Sequence, residues 1–194
     1  MRSFIDQVKD IHKGNDVYII GKGLSLKNLN KSYILSGVII TINDAIEKIE
    51  SFNFYSSNPT YSMQKDGMGG EQNQSDNEPL HDCSLHGTMP KKATLLVHKY
   101  GSSNCMLDYK PRLVFDNLEL GLQICDFSAL SCIKIAQVMG CKRFFFVSFD
   151  ACTRGDGRSA LNNVSYPNYF AQCERMKPYL SGLNYKFITP NGTY

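Results

Sequence analysis

The stretch Val17-Tyr-Ile-Ile-Gly-Lys-Gly-Leu-Ser-Leu26 decides the fold of this chain of 194 residues. Its four consecutive apolar residues predict a strand that is buried on both faces, as in a parallel sheet. Gly21 and Gly23 follow directly and predict a tight turn in which the backbone approaches a neighbour closely. In doubly wound α/β domains, ligands bind beyond the carboxyl ends of such strands.

Further strands and helices are predicted on both sides of this stretch. Apolar runs indicate strands at 38–42, 93–98, 143–149 and 185–188, and 61–63 is a candidate for a short additional strand. Helices are predicted over 44–52, 128–139 and 166–180, the second capped by Asp126 or Ser128 and ended by Gly140. Strands separated by helices predict an α/β fold, a Rossmann-like three-layer sandwich with a mostly parallel sheet.

The chain is predicted to be a single domain over residues 1–194, with one polar insertion. Residues 64–92 are rich in Gly, Asn, Gln, Asp, Ser and Pro and contain almost no aliphatic side chains. A structureless loop of that length is unusual in a compact domain, so this segment is interpreted as either disordered or a functional lid. No linker divides the chain into two domains.

Composition narrows the class of protein. A net charge of +3 gives no strong case for nucleic acid or an anionic membrane as partner. The N-terminus lacks a signal-peptide pattern, and no apolar run approaches the ~20 residues of a transmembrane helix. Seven cysteines without a Cys-x-x-Cys pair indicate small buried hydrophobes in a reducing compartment. A cytoplasmic protein is therefore expected, and a homo-oligomer stays open.

The glycine turn is the first candidate binding feature. Gly21 and Gly23 would let backbone N–H groups approach the phosphates of a nucleotide. Ser25 would cap the next segment or donate to a phosphate, and Lys22 would add positive charge. Leu26 stands where the dinucleotide fingerprint has its third glycine, so that fingerprint is absent. The alternative is a tight strand-to-helix turn without a ligand.

Polar residues after the other strands form a second set of candidates. Asn43 would contact a ribose, a base or a sugar, or it would cap a helix. Asp66 and Asp150 would hold Mg²⁺ between phosphates, or they are loop and capping carboxylates. Arg154 and Arg158 lie in a glycine-containing loop and would clamp a phosphate or carboxylate, or they belong to an exposed polar loop.

A zinc site is the third pattern considered. His81, Cys83 and His86 lie close together, with His98 and Cys105 further along the chain. Their spacing matches no standard zinc finger, and no second well-spaced pair appears. No zinc site is therefore predicted.

Several of these motifs together resemble a known pattern. The chain resembles the Rossmann-like superfamily of the family 42 sialyltransferases and the 6-hydroxymethylpterin diphosphokinase-like proteins. The Gly-x-Gly-Pro-Ser-Leu turn of that superfamily is similar to residues 21–26, with Leu24 in place of proline. Its asparagine after the second strand matches Asn43, and an aspartate after the third matches Asp66 loosely.

The later half of the chain carries the best part of the resemblance. The Ser-Gly pair that starts a helix in the sialyltransferases is matched by Ser128-Ala129, and its Leu-Gly end by Met139-Gly140. A strand that ends in Gly-x-Asp-Phe is matched by residues 144–150. The closing Cys-Pro-Asn-Ser is similar to residues 189–192, so the resemblance spans about residues 16–192.

The resemblance implies a nucleotide in the cleft, either a CMP-linked sugar or ATP with Mg²⁺. It implies that Asn43 and Ser128 orient the nucleoside or sugar, and that Asp66 and Asp150 bind Mg²⁺ or act as the base. The sialyltransferase general-base histidine has no counterpart, because no histidine follows His98. Two functions stay open: a nucleotide- or nucleotide-sugar-dependent transferase, of the glycosyltransferase or diphosphokinase type, and a non-catalytic nucleotide-binding or structural module.

Overall fold

The computed structural model describes residues 3–52, 58–64, 91–99, 110–124, 126–160 and 168–189, and the backbone of 192–193. The strands are β1 (Asp16–Ile20), β2 (Val38–Ile42), β3 (Thr60–Gln64), β4 (Thr94–His98), β5 (Arg112–Phe115), β6 (Arg143–Val147), β7 (Asn184–Thr189) and β8 (Gly192–Thr193). The α-helices are α1 (Phe4–Val8), α2 (Ala45–Phe52), α3 (Ser128–Val138), α4 (Asp150–Thr153) and α5 (Asn168–Leu180). Two short 3-10 helices cover Leu24–Asn28 and Lys31–Tyr33.

One sheet contains all eight strands, in the order β5-β4-β3-β2-β1-β6-β7-β8. Every neighbouring pair is parallel except the last, in which β8 runs antiparallel to β7. The chain builds outward from β1 to β5 and then returns to the other side of β1 with β6. This confirms the predicted Rossmann-like α/β fold, and it places the topological switch point between β1 and β6.

Helices and 3-10 turns cover the two faces of the sheet. Against one face pack α1, α3 and α5, with apolar side chains that contact alternate residues of the strands, such as Val17 and Ile19. Against the other face pack α2 and the segment 24–34, around Tyr18 and Ile20. Because both faces of the central strands are covered, β2 is buried at every position, as its unbroken apolar run predicts.

Two sequence predictions about individual elements are corrected by the structure. Strand β6 ends at Val147 and not at 149, because Ser148 adopts φ +60°, which no strand residue has. Neither Asp126 nor Ser128 caps α3; its cap position is Phe127, which makes no side-chain cap. The Asp126 carboxylate instead accepts the Gln123 N–H at 2.8 Å and pairs with Arg175. Gly140 does end α3, with φ +80°.

The four cysteines that the structure describes are either free, as Cys132 and Cys141 are, or joined in a disulfide. Cys132 is fully buried, as expected for a small hydrophobe, and burial raises the pKa of its thiol. Cys152 and Cys173 form a disulfide between α4 and α5, which corrects the prediction for this pair. Cys83, Cys105 and Cys125 lie outside the described residues.

The polar insertion, residues 64–92, lies almost wholly outside the described residues. Only Gln64, Lys91 and Lys92 of this segment are described. Gln64 is the last residue of β3, where its side chain donates to Ser62 Oγ at 2.9 Å. In the described ranges, no helix has both the length and the apolar character that crossing a bilayer requires.

Phe146 is the side chain whose removal tests this core most simply. It lies in β6, is 0% exposed, and contacts the rings of Phe149, Tyr185 and Phe187. Phe146→Ala should lower the free energy of unfolding by about 3–5 kcal/mol, because it leaves a cavity in the sheet–helix layer. Phe170→Ala, at a position that is 40% exposed, should change it by less than about 1 kcal/mol. Equal losses in urea unfolding would contradict this assignment of the core.

Candidate functional site

The backbone segments after β1 and β6 are hydrogen-bonded to each other beyond the ends of the strands. In the parallel register Ile20 is opposite Val147. The Gly21 N–H donates to the Val147 carbonyl and the Gly23 N–H to the Ser148 carbonyl, both at 2.9 Å. We call the place between the ends of β1 and β6 the crevice, and the two backbone hydrogen bonds that join its sides its closed floor.

Gly23 permits this closure because it has no side chain. A Cβ at this position would lie 2.5 Å from the Ser148 carbonyl oxygen and 2.5 Å from Asp150 Oδ2. Its φ is −58°, so space and not backbone conformation requires the glycine. The N–H groups of Gly21 and Gly23 are also engaged inside the chain. The expectation that these two N–H groups face a phosphate is corrected accordingly.

Asp150 is the buried carboxylate of the crevice. It is the first residue of α4 and is 2% exposed. Its Oδ2 accepts the Ser25 N–H at 2.6 Å, a charge-assisted hydrogen bond that joins the β1 turn to α4. Its Oδ1 has no hydrogen-bond partner among the residues that the structure describes. One carboxylate oxygen is thus held by a hydrogen bond, and the other has none from the described residues.

Two serine hydroxyls share this property. Ser25 and Ser148 are 2% and 1% exposed, and neither Oγ has a hydrogen-bond partner within the described part of the chain. Apart from these two hydroxyls and Asp150 Oδ1, one further buried side-chain atom in the described ranges lacks a hydrogen-bond partner. It is Arg112 Nη1, on the distant strand β5. Buried polar atoms are normally paired, so three uncommitted oxygens at one switch point indicate a place where a ligand or water supplies the missing bonds.

The segment after α4 returns to the glycine turn. The Ala160 N–H donates to the Lys22 carbonyl at 2.8 Å, and Ser159 forms an antiparallel bridge with Gly23. Arg158 is bonded to Asp156, whose carboxyl pKa this guanidinium lowers to about 2. Arg158 therefore does not extend as a free clamp in this structure.

Lys22 and Arg154 are the two sequence-predicted cations at this edge. Lys22 is half-buried in the turn after β1. Arg154 is exposed at the end of α4, where its N–H donates to the Asp150 carbonyl at 2.8 Å. One cation thus lies in the turn after β1 and the other at the end of the helix that begins with Asp150.

Asn43 and Ser128 lie at the same edge of the sheet. Asn43 follows β2 directly and has φ +50°, and its N–H donates to the Met63 carbonyl at 2.8 Å. Ser128 begins α3, whose last residues are bonded to the segment before β1 through Val138 and Asp10. Since the far end of α3 lies beside the start of β1, its first turn lies at the carboxyl edge. Both residues are half-buried.

The other candidates do not enter the described site. Asp66, His81, Cys83, His86 and Cys105 lie outside the described residues. His98 accepts the Asn117 N–H at 3.3 Å and packs edge-on against the Phe115 ring. Within the described ranges, no three His, Cys, Asp or Glu side chains come together as a metal site would require.

Ser148 and Ser159 are the residues of this crevice that the sequence patterns do not single out. The sequence pattern assigns Ser148 to the predicted strand 143–149. The available signal for a site residue is that a small polar residue interrupts this apolar run two positions before Asp150. Ser159 has no local signal, because its pairing with Gly23 is a long-range contact.

Comparison with known proteins gives no family assignment. No protein-family model matches the chain, and no curated protein matches it. The sialyltransferase-like and diphosphokinase-like resemblance therefore stays a prediction.

The close approach at Gly23 can be tested against a glycine of the opposite kind. Gly23→Ala should destabilise the fold by more than about 2 kcal/mol, because its Cβ would overlap a backbone carbonyl and a buried carboxylate. Gly14→Ala meets no atom within 4 Å but needs φ +81°, so it should cost only about 1 kcal/mol. Thermal or urea unfolding of the two variants measures the difference. A Gly23→Ala protein as stable as Gly14→Ala would contradict the closed floor.

Proposed function

We propose that this chain binds a nucleotide or nucleotide-sugar in the crevice between the ends of β1 and β6, and that it transfers a group from that ligand to an acceptor. The observation that carries the proposal is a set of three buried oxygens, Ser25 Oγ, Ser148 Oγ and Asp150 Oδ1, which have no hydrogen-bond partner among the residues that the structure describes. They lie at the topological switch point, which is where doubly wound sheets bind their ligands.

The charges and donors around the crevice favour an anionic ligand such as a phosphate ester. Lys22 and Arg154 supply positive charge, and the Ser25 and Ser148 hydroxyls can donate hydrogen bonds. Because the N–H groups of Gly21 and Gly23 are already bonded, the phosphates would contact hydroxyls and cations and not those amides. Asn43 and Ser128, at the same edge, would orient the sugar or base.

Asp150 is the residue that would take part in the chemistry. Its Oδ2 is held by the Ser25 N–H, so Oδ1 has a fixed position and is unpaired among the described residues. In that position Oδ1 would accept the proton of an acceptor hydroxyl as that hydroxyl attacks the transferred group. Asp66 stays a candidate for the same role from the sequence alone.

The same oxygens suit a magnesium ion. Mg²⁺ prefers carboxylate and other hard oxygen ligands and usually takes one or two protein carboxylates, with water and phosphate in the remaining positions. In this alternative to the base role, Asp150 Oδ1 would supply the carboxylate, and a nearby serine hydroxyl would supply a further oxygen. The ion would neutralise phosphate charge beside the buried carboxylate.

A non-catalytic nucleotide-binding module is the second candidate. One observation favours it: in the described part of the chain neither histidine is available to act as a base in the crevice. His12 is bonded to Tyr61 at 2.7 Å, next to the start of β1, and His98 is the last residue of β4, two strands beyond β2. Asp150 would then orient a ligand without catalysing its transfer.

Ligand binding is tested first, with a pair of serine variants. CMP, UDP, GDP and ATP are each added with and without Mg²⁺, and a ligand at 100 times its Kd should raise the free energy of unfolding by about 2.7 kcal/mol. Ser25→Ala should abolish that stabilisation and leave the free protein as stable as before, because its hydroxyl has no partner to lose among the described residues.

Ser131→Ala is the matched control for Ser25→Ala. Ser131 is equally buried, at 2% exposed, but its Oγ donates to Asn117 Oδ1 at 2.8 Å. Its loss should lower the stability of the free protein by about 1 kcal/mol and leave ligand stabilisation unchanged. If none of the four nucleotides stabilises the wild-type protein, or if Ser25→Ala retains the effect, the proposed site is wrong.

Catalysis is tested by Asp150→Asn, which keeps the size of the side chain and removes its charge. Turnover of the bound nucleotide or nucleotide-sugar should fall at least about 100-fold, because a general base of this kind contributes that much. Asp156→Asn, whose carboxylate pairs with Arg158, should keep its turnover. Release of the nucleoside phosphate is the measurement. If the wild-type protein binds a nucleotide but shows no turnover, the transferase is excluded and the non-catalytic binding module is supported.

A further inference from the structure

The Cys152–Cys173 disulfide lies next to the proposed site. It joins α4 to α5, with 5.3 Å between the two Cα atoms. Cys152 is two residues after Asp150, whose carboxylate holds the Ser25 N–H. Both cysteines are half-buried, unlike the fully buried Cys132, so a small reductant can reach this bond.

Besides this disulfide, helix α4 is held by the Ser25 N–H bond to Asp150 Oδ2 and by its packing against α5. It has four residues, and a helix this short is unstable by itself. Its backbone hydrogen bonds are local: the Cys152 N–H donates to the Phe149 carbonyl, and the Arg154 and Asp156 N–H groups donate to the Asp150 carbonyl. Helix α5, in contrast, has 13 residues and is anchored in the core by Met176 and Leu180. The disulfide therefore fastens the short helix of the site to a stable one.

We propose that the Cys152–Cys173 bond is a redox lock on the crevice, which holds Asp150 in its binding position when oxidised and releases it when reduced. This rests on the proposed function, since the crevice is the proposed nucleotide site. The reductant is a dithiol. One thiolate attacks a sulfur of the bond, the second thiol resolves the mixed disulfide, and the dithiol becomes a disulfide. Two electrons and two protons pass to Cys152 and Cys173, which become thiols.

The reduced and oxidised proteins should differ in nucleotide affinity. CMP, UDP, GDP and ATP are titrated calorimetrically into both forms, at a temperature at which circular dichroism shows both to be folded. Reduction with dithiothreitol should weaken binding at least about fivefold, the lower end of usual coupling between sites, and reoxidation should restore it. Equal affinity in the two forms would overturn the lock.

Variants separate this pair from the remaining thiols. The double variant Cys152→Ser with Cys173→Ser should bind as weakly as the reduced protein, and a reductant should not change it. Cys141→Ser is the control, because burial raises the pKa of the Cys141 thiol to about 12 and leaves it unreactive. Cys141→Ser should respond to dithiothreitol as the wild type does. A double variant that still responds to the reductant would overturn the assignment to this pair.

A readout without nucleotide separates failure of the lock from failure of the proposed function. Trypsin can cut after Arg154 and Arg158, which are exposed just after α4. Early cleavage there should be several-fold faster in the reduced wild type than in the oxidised one. Unchanged cleavage overturns the lock whatever the nucleotides do. Faster cleavage with no nucleotide bound in either form supports the lock on α4 and refutes the nucleotide site.

Discussion

The hydrogen bond from the Ser25 N–H to Asp150 Oδ2, at 2.6 Å, is the interaction on which the site depends. It connects the turn after the first strand to the helix after the sixth, 125 residues apart in sequence. The bond forms only because Gly23 has no side chain to separate the two segments. It also fixes one oxygen of a buried carboxylate and leaves the other directed elsewhere. The glycine turn thus acts by letting a carboxylate approach, more than by presenting its own amides.

Polar groups elsewhere in the core show by contrast how unusual the crevice is. Asn117 is buried, and its side chain donates to the Ile124 carbonyl and accepts from Ser131 Oγ. Asp126 is buried too, and it accepts the Gln123 N–H and pairs with Arg175. These groups order the loop before α3, and their hydrogen bonds are made inside the chain. Such groups are satisfied in one loop, whereas three oxygens at the switch point have no partner in the described ranges, and this contrast indicates a site for an external partner.

Local pattern was enough to predict most of the sheet. The runs at β1, β2 and β4 are buried on both faces, so continuous hydrophobicity identifies them without any knowledge of the fold. Strand β5 was missed because an edge strand with half-exposed positions, Arg112-Leu-Val-Phe115, carries no such run. The apolar run predicts the end of β6 two residues too late. The positive φ of Ser148, which ends the strand, cannot be recognised from its apolar and aromatic neighbours in the sequence.

The candidate site was predictable in its location and less so in its contacts. Gly23 and Asp150 were identified because strand ends in a parallel sheet meet at one edge. Their mutual contact, the uncommitted hydroxyl of Ser148 and the Cys152–Cys173 bond depend on pairs far apart in sequence, which periodicity does not encode. The odd number of cysteines indicates free thiols. Which cysteines form a disulfide depends instead on which helices the fold brings together.

A nucleotide bound between the ends of β1 and β6, as proposed, would change the environment of the amides around it. The most direct measurement is a two-dimensional NMR titration of the ¹⁵N-labelled protein with whichever of CMP, UDP, GDP and ATP stabilises it. If the nucleotide binds there, amide shifts should concentrate in residues 22–25 and 148–154, and the amides of His12 and Tyr61, which are in contact beside the start of β1, should not shift. Shifts centred on that contact, or no shifts at saturating nucleotide, would contradict the proposed site.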